Sequence, residues 1–336
     1  MPPQAVIMQF VTGRFISQSI GLIAELGIAD FIDDNGPMSA ADLAAKADVN
    51  ADALYRLLRA VSMVGVFVET SPKVFDLTEL GKTLRTGTPG SMRDMILWIT
   101  SDTNYQCWGD LRYSVKTGLP AADKILGMPV FEYFFQKNPA VGEIFNNAMT
   151  DFATVSHSTA IEAYDFGQFK KVVDIGGGHG ALMSAILMVN ENVNGIVYDL
   201  PEVVAKTPEL LAARGVADRC EAIGGDFFQS VPAGADCYVS SVVLHDWSDE
   251  LACKILTNIR KAMAPGAKVL SIDAVVPAGN EPYVGKIIDL EMLVMTPGGR
   301  ERTADEWKAL YASAGLKVTN IIPTKAYTCV IEGEAV

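Results

Sequence analysis

Helical hydrophobic spacing dominates the first half of the chain, and its first third carries a recognisable arrangement. Apolar residues recur every three to four positions from about Gln9 to Ile32, and two further helices follow, one capped by Ser39 and one by Asn50. Two short β-like runs come next, Val64–Val68 and Val74–Leu77. Two helices joined by a turn and followed by a hairpin predict a winged helix.

From Lys170 onward, apolar runs of strand length alternate with amphipathic helical segments. The predicted strands are Val172–Ile175, Ile196–Asp199, Cys220–Ile223, Cys237–Val243, Val269–Asp273, Val318–Ile322 and Tyr327–Ile331. The predicted helices are Ala181–Asn190, Pro201–Ala213, Glu250–Met263 and Ala304–Ala314. This alternation predicts a mainly parallel α/β sheet with helices on both faces. The residues between the two regions, 105–168, are helical in pattern and rich in aromatic residues and methionine.

Charge and composition narrow the possible partners. The chain has 27 basic and 40 acidic residues, a net charge of −13. Residues 1–105 hold eight basic and twelve acidic residues, whereas a DNA-binding winged helix needs a basic surface. We therefore expect no nucleic-acid partner, and a structural or dimerisation role for the winged helix.

The apolar content and the cysteines indicate a cytoplasmic protein. No uninterrupted apolar run approaches the ~20 residues of a membrane span, and the N-terminus shows no secretory signal. The five cysteines are scattered and form no C-x-x-C motif, which argues against a disulfide framework or a zinc site. We expect no membrane association and no metal.

The most informative segment is Val-Val-Asp-Ile-Gly-Gly-Gly-His-Gly at residues 172–180. It predicts a strand, a tight glycine loop and a helix start, where a ligand can approach the backbone. Gly176, Gly178 and Ala181 also satisfy the dinucleotide fingerprint G-x-G-x-x-G/A. The loop by itself is therefore also compatible with a nicotinamide dinucleotide cofactor, or with a turn that binds no ligand.

Acidic residues at three successive strand ends favour a cationic ligand. Asp174 ends the first predicted strand, where a pyrophosphate would be repelled and a sulfonium or amino group attracted. Asp199 is placed for ribose hydroxyls and Asp226 for an adenine amino group. This layout is the one expected for S-adenosylmethionine.

With these motifs the chain resembles the S-adenosylmethionine-dependent O-methyltransferases that include caffeic acid, hydroxyindole and anthracycline O-methyltransferases. The resemblance covers nearly the whole chain and rests on residues 172–180, 199–201, 224–227, 244–249 and 298–303. It implies a Rossmann-like class I methyltransferase domain with a mixed seven-stranded sheet, plus a mostly helical, winged-helix-like dimerisation domain. The implied division is 1–104 for dimerisation, 105–168 for linking helices and 169–336 for catalysis, in a homodimer without metal.

The resemblance makes His245 the general base, supported by Asp273 and Glu301. The chain has three histidines; His179 lies in the glycine loop, and His157 lies in a helical stretch that favours a surface or packing position over catalysis. Proton transfer from a phenol of pKa ~10 to a free imidazole of pKa ~6.5 is unfavourable. Neighbouring carboxylates stabilise the imidazolium and so reduce this difference in pKa. Glu301 has an alternative role as the cap of the helix that follows it.

The resemblance also implies cofactor and acceptor contacts. The predicted cofactor residues are Asp174, Gly176, Gly178, Asp199, Leu200, Gly225, Asp226, Phe227, Ser241 and Trp247. Ser241 stands where plant members carry lysine. The predicted acceptor residues are Trp98, Trp108, Phe131, Phe134, Met149, Phe152, Asp246, Met292 and Thr296. Glu291 is an additional polar candidate, with a solvated position as its alternative.

The sequence thus predicts methyl transfer from S-adenosylmethionine to a phenolic or other aromatic hydroxyl of a small secondary metabolite, leaving S-adenosylhomocysteine. Two rivals remain. One is an enzyme of the same fold that binds the cofactor but catalyses decarboxylation, hydroxylation or cyclisation. The other is a cofactor-sensing winged-helix regulator, which the acidic N-terminal region disfavours.

Overall fold

The computed structural model describes the backbone of all 336 residues and every side chain except those of Phe135 and residues 150–155. The chain forms two compact units. The first comprises Met1–Gln106 and Asn138–Asp151, and the second comprises Cys107–Lys137 and Phe152–Val336. The predicted three-part division at residues 104 and 168 stays a prediction.

The first unit holds the predicted winged helix. The elements before residue 110 are the helices α1 Pro3–Glu25, α2 Ile28–Asn35, α3 Ala40–Ala47, α4 Ala51–Ser62, α5 Glu79–Lys82, α6 Arg93–Ile99 and α7 Asp102–Gly109, and the strands β1 Met38–Ser39, β2 Phe67–Ser71 and β3 Val74–Leu77. Ser39 and Asn50 cap α3 and α4 as predicted, each accepting from a backbone N–H in the first turn. The strands pair in the order β1-β3-β2.

The remaining elements alternate as the sequence predicts. The helices are α8 Leu111–Thr117, α9 Ala121–Leu126, α10 Val130–Glu132, α11 Pro139–Ala163, α12 Ala181–Val189, α13 Pro201–Val204, α14 Thr207–Ala213, α15 Asp249–Ala262, α16 Gly285–Met295 and α17 Ala304–Ser313. The strands are β4 Lys171–Ile175, β5 Asn194–Asp199, β6 Cys220–Gly224, β7 Cys237–Ser241, β8 Lys268–Ala274, β9 Leu316–Pro323 and β10 Thr328–Ala335. Single turns lie at Tyr133–Lys137, Phe166–Gln168, Ala217–Arg219 and Leu244–Asp246.

The seven strands of the second unit form one mixed sheet, which confirms the predicted fold class. Their order is β6-β5-β4-β7-β8-β10-β9. The pairs from β6 to β8 are parallel, whereas β10 runs antiparallel to both of its neighbours. The strand order reverses between β4 and β7. In open α/β sheets ligands bind beyond the carboxyl ends of the strands at such a reversal.

Helices bury both faces of this sheet. One core cluster gathers Val172 and Val239 of the sheet with Leu182 of α12 and Tyr164, which directly follows α11. The other gathers residues of the opposite face, with Trp307 of α17 among them. Because both faces are covered, the central strands β4, β5 and β7 read as nearly continuous apolar runs.

Several predicted elements differ from the structure: the run Val64–Val68 forms its strand only from Phe67, the helical pattern from Gln9 to Ile32 is divided between α1 and α2, and two elements of the catalytic region change as well. The predicted helix Pro201–Ala213 is wrong, because it breaks into α13 and α14. The break lies at residues 205–206, because Pro208 has no N–H to bond the carbonyl of Val204 four residues earlier, and proline is tolerated only in the first turn of a helix, where α14 places it. The predicted strand Cys237–Val243 ends two residues early, because Val242 has a φ of 54°. A left-handed β-branched residue cannot continue a strand.

Helix α1 exposes an apolar surface. Ile7, Phe10, Val11 and Phe15 are each more than half exposed. Among the described residues, α1 is long and apolar enough to cross a membrane by length and composition alone, with 11% of its most apolar window buried. A contiguous exposed apolar surface of this kind marks a site of contact with a protein or a membrane.

Candidate active site

The glycine loop between β4 and α12 packs too closely on its surroundings at Gly176 and Gly177 to carry side chains there. Gly176, Gly178 and Gly180 have φ values of 69°, 55° and 86°, which favour glycine at all three positions. A Cβ on Gly176 would lie 2.8 Å from Val243 Cγ2, and one on Gly177 would lie 2.8 Å from Asp174 Oδ2. The absence of side chains therefore lets the loop lie directly against the acid and against the segment that leads to His245.

Asp174 lies beneath this loop as a buried acid with an unused oxygen. It is 1% exposed, and its Oδ2 has no hydrogen-bond partner among the described residues. Burial, followed by the nearby Asp199, raises the pKa of Asp174 to about 8. A buried carboxyl group that lacks a partner is suited to a cationic ligand, because a positive charge would compensate its loss of solvation.

The isosteric change Asp174→Asn is expected to stabilise the ligand-free protein at alkaline pH and to weaken S-adenosylhomocysteine binding. Because the pKa of about 8 lies above the ordinary 3.8, ionisation of Asp174 destabilises the fold as pH rises between these values. Thermal unfolding at pH 5 and pH 8 should show a stability gain over wild type that is present at pH 8 and shrinks at pH 5. A loss of stability at pH 8 would contradict this account.

The two other strand-end acids lie where the sequence places them. Asp199 Oδ2 accepts from the Gly178 N–H at 2.8 Å, and Oδ1 accepts from the Leu200 N–H at 2.7 Å. Asp226 Oδ1 accepts from the Phe228 N–H at 2.8 Å. Burial raises the pKa of Asp199 despite the two N–H donors. These bonds fix Asp199 against the glycine loop and Asp226 on its own turn, and the proposed contacts of the two acids with ribose and adenine stay predictions.

Gly176→Ala should lower S-adenosylhomocysteine affinity by more than tenfold, and Gly178→Ala should lower it less. Both changes place a Cβ on left-handed backbone, which costs about 1–2 kcal/mol. The Cβ of Gly176 also meets Val243, whereas the Cβ of Gly178 meets nothing within 4 Å. Isothermal titration calorimetry on folded variants measures the difference. Equal losses would show that the Val243 contact is irrelevant.

An aromatic cluster joins residues predicted for the cofactor with one predicted for the acceptor. Trp247 has ring centroids 6.0 Å from Phe227 and 4.8 Å from Phe228. The Phe131 ring centroid also lies 6.0 Å from that of Trp247, and 6.3 Å from that of Phe134. These rings pack largely edge-to-face, and they give the carboxyl edge of the sheet an apolar, aromatic lining.

His245 lies in a group of three acids. It occupies the turn Leu244–Asp246 after β7, is 5% exposed, and its Nδ1 is 2.8 Å from Glu301 Oε1. Asp273, at the end of β8, places Oδ1 at 3.7 Å from Nδ1, and Asp246 places Oδ1 at 3.6 Å from Nε2. The short contact makes Glu301 the partner of Nδ1, so that Nε2 is the ring nitrogen left for an acceptor proton.

The acids determine the charge of the histidine. Burial lowers the pKa of His245, but Asp273, Glu301 and Asp246 outweigh it and raise the pKa to about 10. Burial also raises the pKa of Asp273 to about 7 and that of Asp246 to about 6, although His245 opposes both shifts. The titrations of His245, Asp273 and Asp246 are therefore coupled, and their pKa values belong to the group rather than to one residue.

The contact geometry identifies a hydrogen-bonded group. Among the described residues, ligand atoms of His245, Asp273 and Glu301 lie within 4.8 Å of one another, close enough to be considered for a metal ion. However, 2.8 Å between Nδ1 and Oε1 is a hydrogen-bond length, whereas two ligands of one tetrahedral zinc ion stand roughly 3.3 Å apart. Glu301 is also not the cap of α17, because Thr303 caps that helix in a capping box with Glu306.

Arg302, which no sequence pattern singles out as a functional residue, holds the His245 turn in place. Its guanidinium is fully buried and donates to the carbonyls of Leu244 and Trp247, both at 2.9 Å, and to Asp249 Oδ1 at 2.9 Å. The N–H of Arg300 donates to the His245 carbonyl at 2.7 Å. Arg302 belongs to a segment that carried the family resemblance, but one sequence does not reveal that its side chain is buried.

The predicted acceptor residues fall in both units. Trp98 is 4% exposed and packs edge-to-face on Phe145 within the first unit, to which half-buried Met149 also belongs. In the second unit Met292 and Thr296 are buried on α16 and directly after it. Phe152 lies outside the described side chains.

Glu291 on α16 accepts a hydrogen bond from Trp108 Nε1. The residue is half-buried, so a partly solvated position remains open. Its role toward an acceptor stays a prediction.

His157 and Ser241 form a polar pair that the sequence did not predict. His157, on α11, is 8% exposed, and its Nε2 lies 3.1 Å from Ser241 Oγ at the end of β7. His157 Nδ1 is buried with no partner among the described residues. Burial lowers the pKa of His157 to about 4, so the ring is neutral at physiological pH.

Comparison with known proteins covers the whole chain. A family profile for the O-methyltransferase domain matches residues 108–317, and one for the O-methyltransferase dimerisation domain matches residues 8–87. The phenazine O-methyltransferase PhzM of Lysobacter antibioticus is 40% identical over 336 residues, covering 100% of this chain and 97% of that protein. The 8-amino-8-demethylriboflavin N,N-dimethyltransferase of Streptomyces davaonensis is 36% identical, with 92% and 89% covered.

A solved structure adds ligands to this comparison. The O-methyltransferase NcsB1 from neocarzinostatin biosynthesis, in complex with S-adenosylmethionine and 2-hydroxy-5-methyl naphthoic acid, superposes with a TM-score of 0.81. It is 33% identical, and the match covers 95% of this chain and 96% of that one.

Proposed function

Because this chain belongs to the family of S-adenosylmethionine-dependent O-methyltransferases, we propose that it methylates a phenolic hydroxyl on a small, flat aromatic metabolite, with His245 as the base. The single observation that carries the proposal is the buried contact of His245 with Glu301, with Asp273 and Asp246 close by. The relatives that act on a phenazine or bind a naphthoic acid support a planar, aromatic acceptor.

The residues of the glycine loop fit the methyl donor. The unused Asp174 oxygen suits a positive charge, and the open space at Gly178 suits close approach of a ligand to the backbone. When bound, S-adenosylmethionine supplies an electrophilic methyl group on a sulfonium. Asp199 and Leu200 are proposed for the ribose side, and Gly225, Asp226, Phe227 and Trp247 for the adenine side. The bulk of the rate enhancement comes from alignment of the two reactants.

The surroundings of His245 match the acceptor chemistry. A phenol loses its proton with a pKa of ~10, and the three acids raise the pKa of His245 to about 10. The free energy of proton transfer from the hydroxyl to Nε2 is then close to zero. Glu301 holds Nδ1 and stabilises the imidazolium that forms, as the acid does in other acid–histidine pairs.

Mass spectrometry of products from a panel of hydroxylated phenazines, naphthoates and benzoates tests this function directly. Each compound is incubated with S-adenosylmethionine, and mass gains of one methyl group are scored together with S-adenosylhomocysteine release. Matched amino analogues of the same rings test nitrogen as the nucleophile. Products that lose carbon dioxide or gain oxygen without gaining methyl would support the non-methylating alternative.

Helix α1 is proposed to carry a homodimer contact. The dimerisation-domain match includes this helix from residue 8, and its exposed apolar residues need a covering surface. The double change Phe10→Glu/Phe15→Glu should shift the protein from dimer to monomer in sedimentation velocity, because buried charges without partners are costly. Val115→Glu is the matched control, since Val115 is also exposed but lies in the second unit. A dimer that survives the double change would refute this contact.

A further inference from the structure

The pair His157 and Ser241 lies at the reversal point of the sheet. Asp174 of β4 is in register with Val239 of β7, and Ser241 follows two residues later on the same strand. Since side chains alternate along a strand, Asp174, Val239 and Ser241 share one face of the sheet. The Cα atoms of Asp174 and Ser241 stand about 8 Å apart by strand spacing and rise.

The pair always has one hydrogen-bond donor to spare. If Ser241 donates to His157 Nε2, the proton of the neutral ring is on Nδ1, which has no partner among the described residues. If His157 Nε2 donates to Ser241, the serine hydroxyl keeps its own proton for another acceptor. A buried donor left unused is costly, so a ligand oxygen is expected here.

The two unused groups on this face have opposite character. Asp174 has an oxygen without a partner, and the His157–Ser241 pair has a donor without an acceptor. An α-amino acid carries an ammonium group and a carboxylate on a single carbon atom, and so complements both groups at once. Among the parts of the methyl donor, its amino-acid portion has this chemistry.

We propose that His157 and Ser241 bind the carboxylate of the amino-acid portion of the methyl donor, whose ammonium group faces Asp174. The inference deepens the proposed function and rests on its placement of the donor at the glycine loop. The neutral pair acts through hydrogen bonds, so this contact should contribute equally at pH 6 and pH 8.

Calorimetry with two ligands tests the assignment. S-adenosylhomocysteine carries the amino-acid portion, and 5′-methylthioadenosine is the same nucleoside thioether without it. His157→Phe and Ser241→Ala should each raise the Kd of S-adenosylhomocysteine about tenfold, as expected for loss of a hydrogen bond to a charged group, and leave that of 5′-methylthioadenosine within about twofold. Ser158→Ala, the exposed neighbour of His157, is the matched control and should change neither Kd.

The remaining outcomes overturn the proposal. Equal weakening of both ligands would show that the pair only maintains the structure. An unchanged Kd for S-adenosylhomocysteine would refute the contact, and an accompanying rise in the KM of the acceptor would assign the pair to the acceptor instead. Neither calorimetric measurement requires turnover. A failure of the acceptor panel would therefore sink the proposed reaction and leave this test of the donor contact intact.

Discussion

Replacing His245 by alanine should lower turnover by about 10²- to 10⁴-fold and leave the affinity for S-adenosylhomocysteine unchanged. The change removes the nitrogen that accepts the proton of the acceptor, while Asp174 and the glycine loop remain intact. Steady-state kinetics with a panel substrate and calorimetry with S-adenosylhomocysteine measure the two effects. His245→Gln fills the same space without a basic nitrogen and should be as inactive as the alanine variant. If the glutamine variant turned over normally, His245 would be a packing residue.

The pH profile gives an independent measure of the same base. The pKa of His245 is raised to about 10, so the ring is mostly protonated at neutral pH, and kcat/KM for a phenol should rise from pH 6 toward pH 9. Glu301→Gln removes one stabilising charge and should move this rise to lower pH. The raised pKa also stabilises the fold fully below pH 6.5, and that stabilisation is lost as pH rises through about 10. A flat profile in both proteins would contradict a histidine base.

Arg302→Met should lower the free energy of unfolding by about 3 kcal/mol and kcat by roughly 10²-fold. The change keeps most of the apolar volume but leaves the carbonyls of Leu244 and Trp247 without their donor. These carbonyls belong to the turn that holds His245, so the base loses its position. We expect the Kd of S-adenosylhomocysteine to rise far less than kcat falls, because Arg302 donates to Leu244, Trp247, Arg300 and Asp249 and to no residue of the glycine loop, so that Trp247 is the one proposed cofactor residue it holds.

The same segment supplies the control for this variant. Arg300 forms an ion pair with Glu306 in which both side chains are more than 40% exposed, and exposed pairs contribute about 0–1 kcal/mol. Arg300→Met should therefore leave kcat near the wild-type value. Chemical denaturation, kinetics per folded molecule and the pH profile are compared for both variants. If Arg302→Met reduced stability but kept kcat and the profile, Arg302 would support the fold without positioning the base.

The positions of the proposed cofactor residues could largely be predicted from the sequence, whereas those of the acceptor residues could not. Asp174, Asp199 and Asp226 each follow an apolar strand, and the carboxyl ends of parallel strands meet at one edge, so their proximity follows from the pattern. The acceptor candidates come from helices whose aromatic residues pack in cores as readily as in pockets. Trp98 packs on Phe145 within the first unit, and no spacing rule identifies such a partner in advance.

Local sequence determined the elements and the glycine loop, because capping, strand patterning and the φ values that glycine favours act over a few residues. Tertiary structure decided the charge and the position of the groups that react. It brings Glu301 to His245 across 56 positions of sequence, buries Arg302 beneath the turn, and places His157 on Ser241. Burial and contact between distant segments shift a pKa or fix a ring, and neither is encoded in the residues adjacent along the chain.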